Sequence, residues 1–313
     1  MYHPTCPKCR SGKVIKHGSK RWLCKYCKKT FNLKRKDRRD RTALSSYVMD
    51  RTSYARLGKR WGVHRSTAYR RVQRALKYRR SLLERTKQFL ESCDGVCLLD
   101  GKTVRIHGVQ HTIFVAWDRG LGKPIHFLLR EGGEKELWYW KLLLDLKGIG
   151  YHPKAFVSDG ILVLKEFLKE AYTSLPHQRC AVHVFLSARA KALPGRPNER
   201  GRMFVELVRL ILWSRSLNEA KKRCRYLYAV QTLARRERQA LEFVWQTLED
   251  VFICKDQRFK KLHLPRSSNA IENVMGQIEA RLKTRRGTKS LEALELLVNN
   301  LLVNVEIQTI THT

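Results

Sequence analysis

The chain has 313 residues, of which 64 are Lys or Arg and 28 are Asp or Glu, so its formal net charge is +36. Hydrophobic residues make up 43% of the sequence, with 7 Trp, 11 Tyr and 11 Phe, which excludes a wholly disordered chain. No run approaches the roughly 18 apolar residues that cross a bilayer, and the first residues lack the apolar core of a secretory signal. At about 100–200 residues per domain we expect a soluble intracellular protein of two or three domains.

The positive charge is concentrated at the start of the chain. Residues 1–90 carry a net charge of +24, and residues 91–313 carry +12. An excess of this size is self-repulsive unless a polyanion screens it, so nucleic acid is the predicted partner. An anionic membrane surface is disfavoured because the basic residues do not gather on one amphipathic helix. The distribution predicts an N-terminal nucleic-acid module followed by a more ordinary globular body.

Four of the nine cysteines form two Cys-x-x-Cys pairs separated by fourteen residues: Cys6, Cys9, Cys24 and Cys27. Each pair can present two sulfurs to one ion from a tight turn, and two pairs complete a tetrahedral Cys₄ zinc site. The residues between the pairs are predicted to form a hairpin, so residues 1–34 are interpreted as a zinc ribbon. Two disulfides are the alternative, disfavoured in an intracellular protein with five further cysteines.

Residues 40–90 are predicted to form a helix-turn-helix DNA-binding domain. Gly62 allows the positive φ of the turn, Gly58 allows close helix crossing, and a second helix opens at Arg65 or Ser66. Any short helical hairpin with a glycine turn could mimic this pattern. The residues predicted to contact DNA, at base edges first and along the backbone later, are His64, Arg65, Ser66, Thr67, Tyr69, Arg70, Arg71 and Arg74.

From about residue 94 the pattern predicts an α/β fold. Strands are expected at residues 96–99, 112–117, 124–129, 155–158 and 179–183, the second and third joined as an antiparallel meander. Helices are expected at 134–146, with Leu137, Trp140, Leu143 and Leu144 at core spacing, and at 162–171. Residues 184–262 are basic and are predicted to be almost wholly helical, which indicates an insertion rather than more sheet.

Asp100 and Asp159 each follow a buried strand. One such carboxylate is more often a turn or helix cap, but two on neighbouring strands can share a divalent cation. Glu272 is the candidate third acid, although Asn269 and Glu272 also have the spacing of a capping box. Asp118 is the alternative to Asp100, and Glu279 the alternative to Glu272.

The order and content of these segments resemble the Mutator-like branch of insertion-sequence DDE transposases. The resemblance spans essentially the whole chain. It rests on five motifs: Leu99-Asp100-Gly101, Val157-Ser158-Asp159-Gly160, Gln178-Arg179-Cys180-x-x-His183-Val184, Ser268-Asn269-Ala270-Ile271-Glu272 and Lys283-Thr284-Arg285-Arg286-Gly287. The Cys-x-x-His pair is similar to the signature that distinguishes this branch. Taken alone, Cys180 and His183 would more often be an ordinary buried cysteine and histidine.

The resemblance implies an RNase H-like mixed-sheet catalytic core at residues 94–183 and 263–313, interrupted by the α-helical insertion. It implies that Asp100, Asp159 and Glu272 hold two Mg²⁺ (or Mn²⁺) ions, and that Arg179 and His183 orient phosphate or the third acid. The expected substrates are double-stranded DNA, at the element's terminal inverted repeats and at the target, with Arg285 and Arg286 contacting phosphates. At least a homodimer is expected when active, in a prokaryotic cytoplasm and associated with the nucleoid.

Two other functions remain open from the residues. A sequence-specific DNA-binding regulator would keep the N-terminal reader and do no chemistry, which the acids at strand ends disfavour. An RNase H-like nuclease without strand transfer would not need the helix-turn-helix. A tyrosine recombinase is disfavoured because no basic-His-basic-Tyr constellation lies near the C-terminus.

Overall fold

A computed structural model describes most of the chain, and it divides into two compact units, residues 1–77 and 78–313. Among the described residues, no helix is long and apolar enough to cross a membrane. The described residues are 5–6, 8–9, 11–18, 21–31, 47–48, 52–77, 80–106, 108–160, 162–193, 195, 199–230, 232–284 and 290–304.

The first unit contains a small antiparallel sheet and a pair of helices. Strands β1 (Val14–His17), β2 (Arg21–Cys24) and β3 (Thr30–Phe31) pair in that order, so the predicted hairpin is confirmed and gains a third strand. Helix α1 (Tyr54–Trp61) is followed by α2 (Arg65–Lys77). The side chain of Ser53 caps α1, accepting from Arg56 N, and Gly62 ends it at φ 62°.

The second unit is built on a five-stranded mixed sheet of order β6-β5-β4-β7-β8. The first three strands form the antiparallel meander that the sequence predicted, and β7 and β8 run parallel to β4. The mixed α/β prediction is therefore confirmed. The strands are β4 (Val96–Ile106), β5 (Val109–Asp118), β6 (Lys123–Glu131), β7 (Ala155–Ser158) and β8 (His177–Arg179).

Helices α4 (Glu136–Gly148) and α5 (Leu162–Ala171) pack on one face of this sheet, and a short helix α3 (Leu82–Thr86) precedes β4. Their shared core contains Leu99, Phe114 and Phe156 from the strands and Tyr139 and Leu142 from α4. The predicted core positions of α4 were only partly right. Leu143 is buried, but Leu137, Trp140 and Leu144 are exposed, because the neighbouring stripe through Tyr139, Leu142 and Leu146 packs on the sheet.

The prediction of a strand at residues 179–183 was wrong. Strand β8 ends at Arg179, and helix α6 (Ala181–Ala192) begins two residues later. Cys180 makes the last bond to the sheet, donating its N–H to Ser158 O at 2.7 Å. The chain then turns into a helix rich in alanine, a residue whose helix propensity is the highest.

The residues predicted as a helical insertion do form helices, with a core of their own. α6 packs with α7 (Glu199–Leu212), α8 (Leu217–Val230) and α9 (Arg235–Val251) around Val184, Phe204, Cys224 and Val244. The side-chain amide of Gln178, in β8, donates to Val251 O at 2.6 Å and accepts from Cys254 N at 2.8 Å, which joins this bundle to the edge of the sheet. Helices α10 (Asn269–Thr284) and α11 (Leu291–Val303) complete the unit.

Candidate active site and metal centres

The sheet brings the first two predicted acids together. β4 and β7 are parallel, and the last pair in their register is Leu98 with Val157. Asp100 lies two residues further along β4, and Asp159 lies just past the end of β7 at Ser158, so the pairing of strands about 4.8 Å apart brings the two residues near one another. The predicted approach of these two carboxylates is thus a direct result of strand register. The expectation that Asp100 follows its strand was wrong, because β4 continues to Ile106.

The carboxylates in this cluster repel one another. Burial, followed by the nearby Asp159 carboxylate, raises the pKa of Asp100 to about 7, and Glu134 adds to the rise. Like charges held together in a partly dry site favour the protonated form of one of them. A divalent cation would reverse this balance, because carboxylate oxygens are the ligands that Mg²⁺ prefers.

Asp159 is supported from the next strand. The Arg179 guanidinium donates from Nε to Asp159 O at 3.3 Å, and its side chain lies against Gly160. A Cβ at residue 160 would be within 2.7 Å of three Arg179 atoms, and the φ of Gly160 is +79°. Glycine after the second acid is therefore required both by the backbone and by the arginine. Burial lowers the pKa of Arg179 below its usual value.

The third predicted acid lies where two helices begin. Glu272, in the first turn of α10, accepts from Ser268 Oγ at 3.1 Å. Its Oε1 also lies 3.4 Å from His183 Nδ1 and 3.9 Å from Cys180 Sγ. The carboxylate thus contacts Ser268 and the Cys-x-x-His pair rather than the Asn269 backbone, which the capping-box alternative required.

His183 links the two parts of the cluster. Interaction with the Cys180 side chain raises the pKa of His183 to about 9, and the charges of Glu272 and Asp159 act in the same direction. The pKa of Cys180 is lowered against the effect of its burial, mainly by His183 and Ser268. His183 also lowers the pKa of Asp100. The three predicted acids are therefore connected electrostatically through one histidine.

Glu134 is a fourth acid near this cluster. The sequence placed it only at the start of a helix, and in the structure it lies two residues before α4 begins at Glu136. Its Oε2 accepts from Tyr139 Oη at 2.7 Å, and its carboxylate lies so close to Gly101 that a Cβ there would be 2.6–2.8 Å away. Burial raises its pKa, as does the charge of Asp159. The one available signal was Gly101, since a glycine inside a strand often marks a close approach.

Both alternative acids have other partners. Asp118 is fully buried and accepts from four donors: Asp94 N at 3.2 Å, Gly95 N at 3.1 Å, Leu121 N at 2.8 Å and Tyr151 Oη at 2.9 Å. Asp118 pairs with Cys97 in the β4–β5 register, away from Asp100. Glu279 pairs with Lys102 at 3.0 Å and Lys283 at 2.8 Å. Asp118 thus serves as a structural anchor, and Glu279 as a surface ion-pair partner.

The four N-terminal cysteines form one cluster, with ligand atoms within 4.8 Å of one another. The distances from Cys6 Sγ to Cys27 Sγ and from Cys9 Sγ to Cys24 Sγ are 3.6 and 3.5 Å. Sulfurs around a tetrahedral zinc, each about 2.3 Å from the ion, would be about 3.8 Å apart. The cluster fits a single zinc ion after a small expansion.

Helix α2 carries the predicted DNA-contacting residues, and its surface is basic. Ala68, Val72 and Leu76 are buried, whereas Arg65, Arg70 and Arg74 are exposed. At the turn, His64 Nδ1 lies 2.9 Å from Ser66 Oγ. His64, Ser66 and Tyr69 are exposed as well, and Thr67 and Arg71 are half-buried. Arg285 and Arg286 lie outside the described residues.

Over residues 100–310 the sequence matches the model of a family described as "Transposase, Mutator family". No curated protein matches the chain by sequence. Among solved structures it is similar to the Drosophila P element transposase strand transfer complex, at 15% identity and a TM-score of 0.31, over 84% of this chain and 78% of that one. It is also similar to the Mos1 mariner paired end complex with Mn, at 12% identity and a TM-score of 0.22, over 66% and 75%. Since the family match covers most of the sequence, this chain belongs to the Mutator family of transposases.

Proposed function

We propose that this transposase binds double-stranded DNA, cleaves it at the ends of its element and joins the freed ends to a target. Asp100, Asp159 and Glu272 would act as a DDE triad that holds two Mg²⁺ or Mn²⁺ ions. When bound, the ions activate the attacking oxygen and stabilise the leaving one. The observation that carries this proposal is the parallel pairing of β4 and β7, which brings Asp100, on β4, near Asp159, just past the end of β7.

The sheet supports an RNase H-like core. An antiparallel meander of three strands is followed by two parallel strands on the other side of the first, giving the order β6-β5-β4-β7-β8. Asp100 lies on the central strand, and Asp159 directly follows its parallel neighbour. In open α/β sheets, ligands bind outside the carboxyl ends of strands, which is where β7 delivers Asp159.

The chain's own side chains would keep the carboxylates in position. Arg179 fixes the backbone at Asp159, and Ser268 and His183 orient Glu272. Tyr139 holds Glu134 beside Gly101, so a fourth acid is available to accept a proton or to share a cation. These contacts preorganise the site, which matters because a displacement of 1 Å can cost about a hundredfold in rate.

DNA binding is proposed for the N-terminal unit and for the basic helices of the second unit. The net charge of +24 in residues 1–90 and the exposed arginines of α2 support it. The Cys₄ cluster would hold a structural zinc, and the ribbon with α1–α2 would recognise the terminal inverted repeats. The insertion and Arg285–Arg286 would contact phosphates of flanking or target DNA, and two chains would pair two ends. A prokaryotic cytoplasm, with nucleoid association, is the proposed location.

The test is a cleavage and strand-transfer assay. Labelled DNA that carries the element's own ends is incubated with the full chain and Mg²⁺, beside Asp159→Asn and, as a control, Glu166→Gln, which changes an exposed acid on α5. We expect Asp159→Asn to bind the DNA and not to cleave it, and Glu166→Gln to behave as the wild type. Equal cleavage by Asp159→Asn would refute the triad. Cleavage without joining would indicate a nuclease, and binding alone by the wild type a regulator.

A further inference from the structure

Cys180, His183 and Glu272 form a second cluster of metal-binding side chains. Their ligand atoms all lie within 4.8 Å of one another. Cys180 and His183 are three residues apart at the start of α6, which places them on one face, and Glu272 faces them from the first turn of α10. The backbone fixes this meeting of helix ends, since Ala181 N donates to Arg266 O at 2.9 Å.

The spacing of these atoms is close to that of a tetrahedral zinc site. With Zn–S near 2.3 Å and Zn–N and Zn–O near 2.0 Å, a sulfur and an oxygen ligand lie about 3.5 Å apart, and a nitrogen and an oxygen about 3.3 Å. The corresponding distances are 3.9 Å from Cys180 Sγ to Glu272 Oε1 and 3.4 Å from His183 Nδ1 to the same oxygen. Both distances to Glu272 Oε1 are thus within a few tenths of an ångström of the coordination values, and the third pair, the Cys180 sulfur and a His183 nitrogen, lies within 4.8 Å.

The donor set is unlike that of the carboxylate pair on the strands. One sulfur, one imidazole nitrogen and one carboxylate oxygen suit Zn²⁺ far better than Mg²⁺, which takes oxygen ligands. His183 Nδ1 is a buried atom that has no hydrogen-bond partner of acceptable geometry among the described residues. Cys180 Sγ accepts from Ser268 N at 3.3 Å, as a coordinating sulfur commonly does.

The cluster is also accessible. Cys180 is buried, but about a third of the side chains of His183 and Glu272 is exposed, 31% and 32%. Three protein ligands leave a fourth tetrahedral position, which water would fill. An ion could therefore reach the cluster from solvent without unfolding either helix.

We infer that Cys180, His183 and Glu272 bind Zn²⁺, as a second zinc site separate from the Cys₄ cluster of the first unit. Zinc binding itself is independent of the proposed catalytic function. Its consequence rests on that function: while zinc holds Glu272, the third acid is withdrawn from Mg²⁺ and strand cleavage stops. At free zinc ten times the dissociation constant, mass action leaves about a tenth of the chains with Glu272 free.

The experiment measures zinc content first. The full chain is dialysed against micromolar Zn²⁺ in the presence of millimolar Mg²⁺, and bound zinc per chain is determined by mass spectrometry. Cys180→Ser and His183→Gln remove one ligand each, and Cys93→Ser is the control, since Cys93 is a half-buried thiol outside both clusters. Melting curves establish that each variant is folded. Two ligand variants are used so that the test still stands if one of them does not fold.

We expect Cys180→Ser and His183→Gln each to retain one zinc fewer per chain than the wild type, and Cys93→Ser to retain as many. Equal zinc content per chain in the wild type and in both ligand variants would overturn the site. Cys180 and His183 would then serve only to position Glu272. Cleavage with and without zinc then tests the consequence: about tenfold inhibition of the wild type is expected at ten times the dissociation constant. Inhibition that persists equally in Cys180→Ser would refute it, whereas a wild type that never cleaves would refute the proposed function and leave the zinc count decisive.

Discussion

Replacing Asp100 by asparagine is expected to stabilise the fold and abolish strand cleavage. Asparagine has the size of aspartate and keeps an oxygen that can accept from Gly101 N, as Asp100 Oδ1 does at 2.9 Å. What it removes is a negative charge that lies beside Asp159 and is largely shielded from water. The substitution therefore isolates the electrostatic cost of assembling the acids.

The size of that cost follows from the pKa of Asp100. It is about 7 in the folded chain, against 3.8 as the ordinary value, with burial as the first cause and Asp159 as the second. By linkage this difference corresponds to about 4 kcal/mol at high pH. Water penetration and local relaxation reduce such values, so we expect a measured gain of about 1–3 kcal/mol for Asp100→Asn.

Because folding raises the pKa of Asp100, the stability of the fold depends on pH. Between about pH 4 and pH 7 the folded chain holds a proton on Asp100 that the unfolded chain has released, so this carboxyl makes stability fall as pH rises. Below pH 4 the carboxyl is protonated in both states and contributes nothing. The advantage of Asp100→Asn should therefore be largest at pH 8 and disappear near pH 4.

The assay is urea unfolding followed by tryptophan fluorescence, at pH 5 and pH 8 in Mg²⁺-free buffer, with DNA cleavage measured in parallel. Asp118→Asn is the control, because that carboxylate accepts hydrogen bonds from four donors. An amide nitrogen in place of Oδ2 cannot accept from Gly95 N, so Asp118→Asn should lose about 1–3 kcal/mol at both pH values. If Asp100→Asn were less stable than the wild type at pH 8, the charge of Asp100 would not be unfavourable in the folded chain.

Three further substitutions test the site and the first unit. Gly101→Ala would place a Cβ 2.6–2.8 Å from the Glu134 carboxylate, so the rate of cleavage should fall at least about tenfold. Gly148→Ala is the control: its Cβ would meet nothing within 4 Å, and the rate should not change. If the proposed Cys₄ site holds zinc, Cys24→Ser should lower the zinc content of the chain and weaken DNA binding, measured by gel shift. Unchanged binding would argue against the first unit as the part that recognises DNA. Gly62→Ala, at φ +62°, should destabilise the first unit by about 1 kcal/mol in thermal unfolding, and no change would show that the turn relaxes.

The sequence predicted the local elements of the second unit well. The strand at residues 155–158 and the helix at 162–171 have the bounds that hydrophobic patterning indicated. Asp100 and Asp159 could be proposed because each follows an apolar run in the sequence, and the polar residue marks where that run stops. The run before Asp159 is a whole strand, whereas the strand that holds Asp100 continues to Ile106. The structure adds the parallel pairing of β4 and β7, which brings the two acids near one another.

What the sequence could not predict depends on contacts between distant segments. The contact of Glu134 with Gly101 requires the segment just before α4 to lie over the middle of β4, and no local pattern encodes it. The face of α4 was misassigned because the helix is apolar on two sides, and packing alone selected Tyr139 and Leu142 over Leu137 and Trp140. Cys180 was assigned to a strand because the sequence does not show where β8 ends and α6 begins. Cys180 lies between them, and its N–H still bonds to the sheet.

The same long-range contacts explain why the chain tolerates a long helical segment between Asp159 and Glu272. The segments on either side of it meet directly: Ala181 N donates to Arg266 O at 2.9 Å, and Ser268 N to Cys180 Sγ at 3.3 Å. Closing a loop costs entropy that grows only as the logarithm of its length, so a long insertion between adjacent ends adds little. The insertion also has its own core around Phe204 and Val244, which stabilises it independently of the sheet. The position of Glu272 thus depends on the short contacts at the base of the insertion and not on its length.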